Sequence, residues 1–260
     1  THLLTAARGI GGADMKRSHA FWAMLALVGA WQALAMVIQR PILPSPVVVF
    51  AVFITEIFGE LGGHFLASLW RVTASMLISI VLAAPAGLAL GQSQRLNQIF
   101  APVIYLLYPI PKVVFVPIVA LFLGINDLSK IVMIFLILFF QILVLVRDQA
   151  EGIRPELVYS VRSLGAGRRA LFRFVYWPAS LPAVLTAVRQ SIGTAVAVLY
   201  VVELVATSRG LGYYIYIHGS TFMDYSKMYA GVLAMSLLGL GLYFLADVLH
   251  RRLCPWQFIR

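Results

Sequence analysis

Six stretches of this chain are apolar over lengths that a soluble fold does not need in succession. They run approximately over Ala20–Ile38, Phe65–Leu90, Ile99–Leu123, Ile131–Val146, Leu181–Ala206 and Tyr229–Leu249. A helix needs roughly 20 mostly apolar residues to cross the hydrocarbon layer, and somewhat fewer where flanking Lys or Arg reach the interface. Within a bilayer each backbone amide must be satisfied internally, so such runs read as helices. Composition agrees, with 61% apolar and 12% charged residues against about half and a quarter in a soluble domain. The expected fold class is an all-α polytopic membrane protein with six transmembrane helices. It divides into a cytoplasmic N-terminal extension at 1–19, one transmembrane domain at 20–250 and a cytoplasmic tail at 251–260. No length is left for a separate soluble enzyme domain.

The shorter segment Val47–Leu61, "VVVFAVFITEIFGEL", carries two glutamates and reads as an amphipathic interfacial helix opened by the Pro44-Ser45-Pro46 turn. Lys16-Arg17 before the first span and Ala33-Leu34-Ala35 within it mimic a signal peptide, but the apolar run continues past that site, so retention is expected. Met15-Lys16-Arg17 resembles a natural start, which makes residues 1–14 an expected disordered extension. With the N-terminus inside, thirteen of the 20 Lys and Arg fall on cytoplasmic segments and only Arg40, Lys130, Arg209 and Lys227 outside. That bias places both termini in the cytoplasm, and the +10 net charge reports topology rather than nucleic-acid binding. Cys254 is the single cysteine, which rules out an intramolecular disulfide and leaves a structural role for that residue.

The longest cytoplasmic segment, about 147–180, is neither a tight turn nor a domain. In "RPELVYSVRSL" Leu157, Val161 and Leu164 share one helical face and Arg162 lies on another. Pro155 suits the first turn and Gly165 the C′ position. "RRALFRFVYW" then brings a second amphipathic stretch back to the bilayer, with Pro178 and Pro182 opening the fifth span. Such a helix either lies on anionic lipid or offers a knob for a partner to grip.

Ionisable residues within spans are costly and raise a functional question each time. Arg71 lies near the outer end of the second span and is expected to snorkel to the interface. Arg189 is expected to contact backbone carbonyls or loop acids, and Asp247 to pair with Arg251 one turn on. Glu203 has two readings, a partner of Arg209 or of another helix, and a residue of a pathway. In "YPIPKVVFVP" Pro109, Pro111 and Pro117 surround Lys112 near mid-membrane. Helices broken there survive only where buried in protein or lining a cavity. Lys112 therefore either lines a translocation path or holds Glu203 or a carbonyl.

No phosphate loop G-x4-G-K-[ST], no H-E-x-x-H and no G-x-S-x-G occurs, and the five histidines lack metal-ligand spacing. The chain is not expected to be an enzyme.

Gly165-Ala166, Phe172, Val175, Pro178 and Pro182 resemble the "EAA" loop of bacterial ABC-importer permeases, E-A-A-x3-G-A followed by F-x2-V-x-L-P-x3-P. Arg189 stands where that family has Gly-Leu-Arg, Glu203 where it has Ala-Glu, and "RGLGYYI" (Arg209–Ile215) resembles the Gly-Leu-Gly that follows. "LPSP" (Leu43–Pro46), "SLWRV" (Ser68–Val72), "PIVALFLGINDLSKI" (Pro117–Ile131) and "PWQ" (Pro255–Gln257) resemble the nitrate/sulfonate/taurine subfamily. The likeness covers nearly everything from about Pro41 onward. Tyr159 stands in place of the signature Glu, Ser160 and Val161 in place of the alanines, and Trp177 in place of the Leu before Pro178.

The resemblance implies a type I ABC-importer permease fold working as a homodimer. It implies a coupling helix, Glu156, Tyr159, Ser160, Arg162, Ser163, Leu164, Gly165 and Ala166, seated in a groove of a separate ABC ATPase that binds the ATP and Mg; this chain would hold no cofactor. Tyr159 can fill such a groove by packing and a hydroxyl bond but offers no carboxylate. A periplasmic or lipid-anchored substrate-binding protein would deliver a small solute, such as nitrate, a sulfonate or taurine, to a path past Pro109, Pro111, Lys112 and Glu203. Further contacts would be membrane lipid and a second permease copy, in a bacterial inner membrane, and no nucleic acid. The alternative class is a stand-alone channel or ion-coupled secondary carrier. Such carriers are built on inverted repeats and more buried acids, neither of which is clear in this sequence.

Overall fold

The computed structural model describes residues 17–205 and 207–257, and every regular element among them is helical. The extension expected at 1–14 lies outside the described residues. In chain order the helices are α1 (Arg17–Ile38), α2 (Pro46–Glu56), α3 (Glu60–Gln92), α4 (Gln94–Leu107), α5 (Val116–Leu123) and α6 (Asp127–Glu151). They continue as α7 (Pro155–Ser163), α8 (Arg168–Leu171), α9 (Trp177–Val202), α10 (Leu211–Tyr216) and α11 (Tyr225–Leu253). Five helical segments are long and apolar enough to cross a membrane, and a bent pair counted as one makes a sixth.

Two boundaries differ from the sequence expectation, and the third span breaks where its prolines imply. The interfacial helix stops at Glu56, and a turn at 57–59 hands the chain to α3, which begins at Glu60 rather than Phe65. Glu60 sits in the first turn of α3, where the helix dipole favours an acid. The third span is not one helix: α4 and the segment Lys112–Leu123 meet at 76° across the break at 108–111. Pro109 and Pro111 remove two amide donors there, so the helical ladder cannot continue. The stretch after Gly165 returns to the bilayer as part of the fifth span itself, Arg169–Val202 forming one apolar helix that starts before Leu181. Its turn Phe172–Tyr176 is a π-helix. That wider turn gives the ring of Pro178 room that a regular helix denies it, while Pro182 lies inside α9.

The core lies between α3, α6 and α9, with α11 against α9. The α3–α6 contact has a fixed register. Arg71 meets Asp127, Ser75 Oγ donates to the Ile131 carbonyl (3.1 Å) and Ser79 Oγ to the Phe135 carbonyl (3.3 Å), all 56 residues apart. A constant offset means that the two helices run in the same direction while α4 and α5 return between them. Gly87 and Gly91 continue the seam, since an added Cβ would lie 2.8 Å from the Leu143 carbonyl and 2.5 Å from the Arg147 carbonyl. Small residues at such spacing let membrane helices pack backbone to backbone, where dispersion rather than water exclusion holds them. α1 meets α2 and, through a 6.0 Å ring contact of Trp31 with Tyr229, α11, and most of its apolar side chains are exposed.

Candidate functional site

Three features of the bundle carry polar chemistry. The first is a clasp where α3, α6 and the segment after α9 meet. The buried face of α3 presents His64, Ser68 and Arg71 at helical spacing. Arg71 is 3% exposed and Glu203 0%, so the snorkelling expected of Arg71 does not occur. Its side chain points along the helix face that packs inward, and an acid awaits it. Nη1 donates to Glu203 Oε1 and to the Arg209 carbonyl, both at 2.7 Å. Nε and Nη2 donate to Asp127 Oδ1 at 2.9 and 2.7 Å.

Glu203 also accepts from Ser68 Oγ (2.8 Å) and from the Gly212 amide (2.9 Å). Of the two partners weighed for it, the structure gives another helix: Arg209 contributes its carbonyl to Arg71, and Arg71 is the cation that Glu203 holds. Ser68 Oγ accepts from the Leu211 amide (2.8 Å), and His64 Nδ1 lies 3.0 Å from both the amide and the carbonyl of Gly210. Gly210 has φ +128°, and a Cβ there would strike the Glu203 carboxyl and the Arg71 guanidinium. Only glycine lets the chain pass so close. Removing one partner from a buried pair of this kind typically costs about 3–5 kcal/mol, because the other charge stays behind.

Beside the clasp, the rings of Tyr214 and His218 on the following helical turns meet at 4.3 Å between centroids, tilted by 54°. Burial pushes the Tyr214 phenol above its ordinary range and holds His218 below the usual imidazole value.

The second feature is the break in the third span. Lys112 Nζ donates to the carbonyls of Leu107 (3.0 Å), Tyr108 (3.1 Å) and Ile110 (3.5 Å), the first of which lost its i+4 amide donor to Pro111. The ammonium also stands 4.7 Å from the Phe140 ring centroid, a cation–π contact. Its partners are thus carbonyls and rings, not Glu203. Elsewhere in the spans Arg189 Nη1 reaches Asp247 Oδ1 (3.2 Å), and Asp247 Oδ2 accepts from Arg251 Nε (2.9 Å) as expected.

The third feature is α7. Pro155 opens it at N1, with Glu156 in the first turn and Arg162 in the last, both matched to the helix dipole. The Gly165 amide bonds to the Arg162 carbonyl at 3.0 Å with φ +82°, the left-handed closure its place in the sequence implied. Ser160 Oγ donates to the Glu156 carbonyl and Ser163 Oγ to that of Ser160. No residue of α7 is buried: Tyr159 is 64% and Leu164 85% exposed, while Leu157 and Val161 line a shallow hollow with Phe174, Val175, Pro178 and Trp256. Ala166 follows at the start of the return toward the bilayer.

The sequence model of the family described as "Binding-protein-dependent transport system inner membrane component" matches residues 76–255. The chain belongs to this family. It is 30% identical over 194 residues to the taurine transport system permease protein TauC of Escherichia coli, covering 75% of this chain and 70% of that one. It is 29% identical over 234 residues to the putative aliphatic sulfonates transport permease protein SsuC of Bacillus subtilis, covering 89% and 84%. The fold matches a chain of the MetNI methionine ABC transporter with a TM-score of 0.67 at 19% identity, over 76% of this chain and 97% of that one. The protein is an ABC-importer permease subunit, a multi-pass inner-membrane protein with the fold expected from its sequence.

The clasp is the feature that sequence reasoning did not assemble. Its signal was present as a polar stripe, His64, Ser68, Arg71, Ser75 and Ser79, on one face of an otherwise apolar span.

Proposed function

We propose that this permease couples to a separate ATPase subunit through α7 and Gly165–Ala166, and that it passes a small anion across the membrane. The observation that carries the coupling role is a helix held between two spans with its apolar and aromatic side chains uncovered. Tyr159 and Leu164 stand in the open, and a Tyr fills a partner's groove by packing and a hydroxyl bond. α7 lies between the ends of α6 and α9, so a push on it reaches both, and α6 is geared to α3 through the 56-residue register. The Lys and Arg bias supports a cytoplasmic α7 and cytoplasmic termini, with the clasp at the outer face.

A homodimer of the chain, two ATPases that bind ATP and Mg, and a substrate-binding protein at the outer face complete the proposed importer. Closure of the ATPases brings the two α7 segments together, and the packed helices open the path outward, alternating access by rigid elements. Pro109 and Pro111 open the third span, and Lys112 offers the path a positive charge. The names of TauC and SsuC, which concern taurine and aliphatic sulfonates, support an anionic group on the solute. Glu203 is assigned to the outer wall of that path, fixed there by Arg71.

The test is capture of the ATPase by Gly165→Pro and Arg162→Glu variants purified from the native membrane. Proline cannot adopt the positive φ of Gly165. Both variants are expected to insert normally and to lose the ATPase and transport. Normal capture and uptake at normal expression would sink the docking assignment.

A further inference from the structure

The turn Pro255–Gln257, the "PWQ" that follows α11, folds back toward the coupling segment. The Cys254 amide donates to the His250 carbonyl (3.0 Å) and the Gln257 amide to the Cys254 carbonyl (3.2 Å), so the turn closes on the helix end. His250 Nε2 and Gln257 Oε1 meet at 2.9 Å, and Cys254 is fully buried. The end of α11 is tied to α9 as well, since Asp247 accepts from Arg189 at 3.2 Å. The turn is therefore an extension of α11 and not a loose tail.

Trp256 and Gln257 reach two different neighbours. Trp256 lines a hollow of ≈ 330 Å³ with Leu157 and Val161 of α7 and Pro178 of α9. Gln257 lines one of ≈ 250 Å³ with Gln149 of α6 and Thr186 and Gln190 of α9. Ala179 belongs to both. The turn thus stands in the fork between α7 and the α6–α9 pair, with open space against each of these two residues. α7 has no buried residue, and glycines flank it at 152, 165 and 167. A close-packed interior does not yield. A helix pushed from outside moves into space that is already open, and for α7 the hollow shared with Trp256 is such a space.

We propose that Trp256 and Gln257 are positioning residues of the coupling step. α7 swings into its hollow until it meets the indole, and the turn passes the push to α11 through Gln257 and His250. This rests on the reading of α7 as the ATPase docking helix and adds a third span to those it drives. α6 and α9 follow α7 through their chain connections, and α11 follows through this wedge.

The test uses the permease with the ATPase that accompanies it, held in nanodiscs. Leu157→Cys carries a bimane label, which tryptophan quenches on contact, while the native Cys254 is fully buried and stays unlabelled. A non-hydrolysable ATP analogue with Mg is expected to deepen the quenching. Trp256→Phe is expected to abolish that change with the ATPase still bound. Ala179→Phe, which fills the space on both sides of the turn, is expected to block it with Trp256 in place. Trp256→Ala should free the ATPases of the load of moving α11 and raise basal ATP hydrolysis by between about twofold and thirtyfold, the range of mutations along coupling contacts. Trp256→Phe, which keeps a ring, should stay near the parent rate.

Quenching indifferent to nucleotide while the ATPase is bound, or a deepening that survives Trp256→Phe, overturns the wedge and leaves the docking of α7 standing. If Trp256→Ala lowers the melting temperature and leaves hydrolysis unchanged, the role of Trp256 is structural and the proposal falls. Absence of an ATPase from the parent preparation, or capture unaffected by Gly165→Pro, overturns the docking and the wedge together.

Discussion

Replacing Arg71 with methionine removes the one guanidinium among the described residues that pairs with Glu203, whose carboxylate is 0% exposed in the parent and is left facing Ser68 and the Gly212 amide. A buried acid stripped of its cation costs about 3–5 kcal/mol. For a chain of this size each kcal/mol is worth about 2–4 °C, so melting should fall by about 6–20 °C. Asp127, half exposed at its side chain, can turn to water and adds little. Glu203→Leu in the same chain removes the stranded charge, and the double variant should melt above Arg71→Met alone. It should still melt below the parent, because the Arg209 carbonyl, the Gly212 amide and the Ser68 hydroxyl lose their partners.

Cys254 supplies the assay. It is the single cysteine and fully buried, and burial pushes its thiol up. A thiol-reactive dye therefore reports unfolding at one position in detergent or nanodiscs. A melting point for Arg71→Met within about 2 °C of the parent, or a double variant whose loss equals the sum of the singles, would refute the reasoning.

Further outcomes follow from the same geometry. Gly210→Ala should lower melting markedly, since its Cβ meets Glu203 and Arg71, whereas Gly63→Ala, with only Arg209 Nη2 at 3.7 Å, should be neutral or stabilising; the dye assay separates them. His218 faces Glu60, Glu56, Asp224, Lys227 and the Tyr214 and Phe222 rings, and burial sets its pKa below 6.5. The unfolded chain then takes up a proton first, so His218 costs no stability above about pH 6.5 and lowers it as pH falls toward the folded value. His218→Phe should flatten that part of the melting profile, and an unchanged profile would exclude His218 as its source. Lys112→Ala should slow transport or uncouple it from ATP hydrolysis without releasing the ATPase, measured as uptake per ATP consumed in proteoliposomes.

What the sequence made legible is local. The spans follow from run length, α7 from its spacing, its closing glycine from position, and the broken third span from Pro109 and Pro111. What it hid is pairing across the chain. Arg71 and Glu203 are 132 residues apart, and hydropathy says how deep an arginine sits but not which face carries it. The polar stripe from His64 to Ser79 held that information, since a lipid-facing stripe of such residues would be costly. The alanines and glycines of α3 likewise gave no warning that two parallel helices share a fixed offset. The π-turn before Pro178 was invisible because prolines announce a disturbance without saying how the ladder absorbs it.

The most direct test of the central claim is uptake by proteoliposomes holding this chain together with whatever co-purifies from its native membrane. Flux is measured with and without ATP inside the vesicles and with the substrate-binding protein outside. The account predicts a stoichiometric ATPase in the preparation and solute accumulation that requires ATP and is lost with Gly165→Pro. Accumulation by the chain alone, without ATP, would contradict it and return the protein to the carriers.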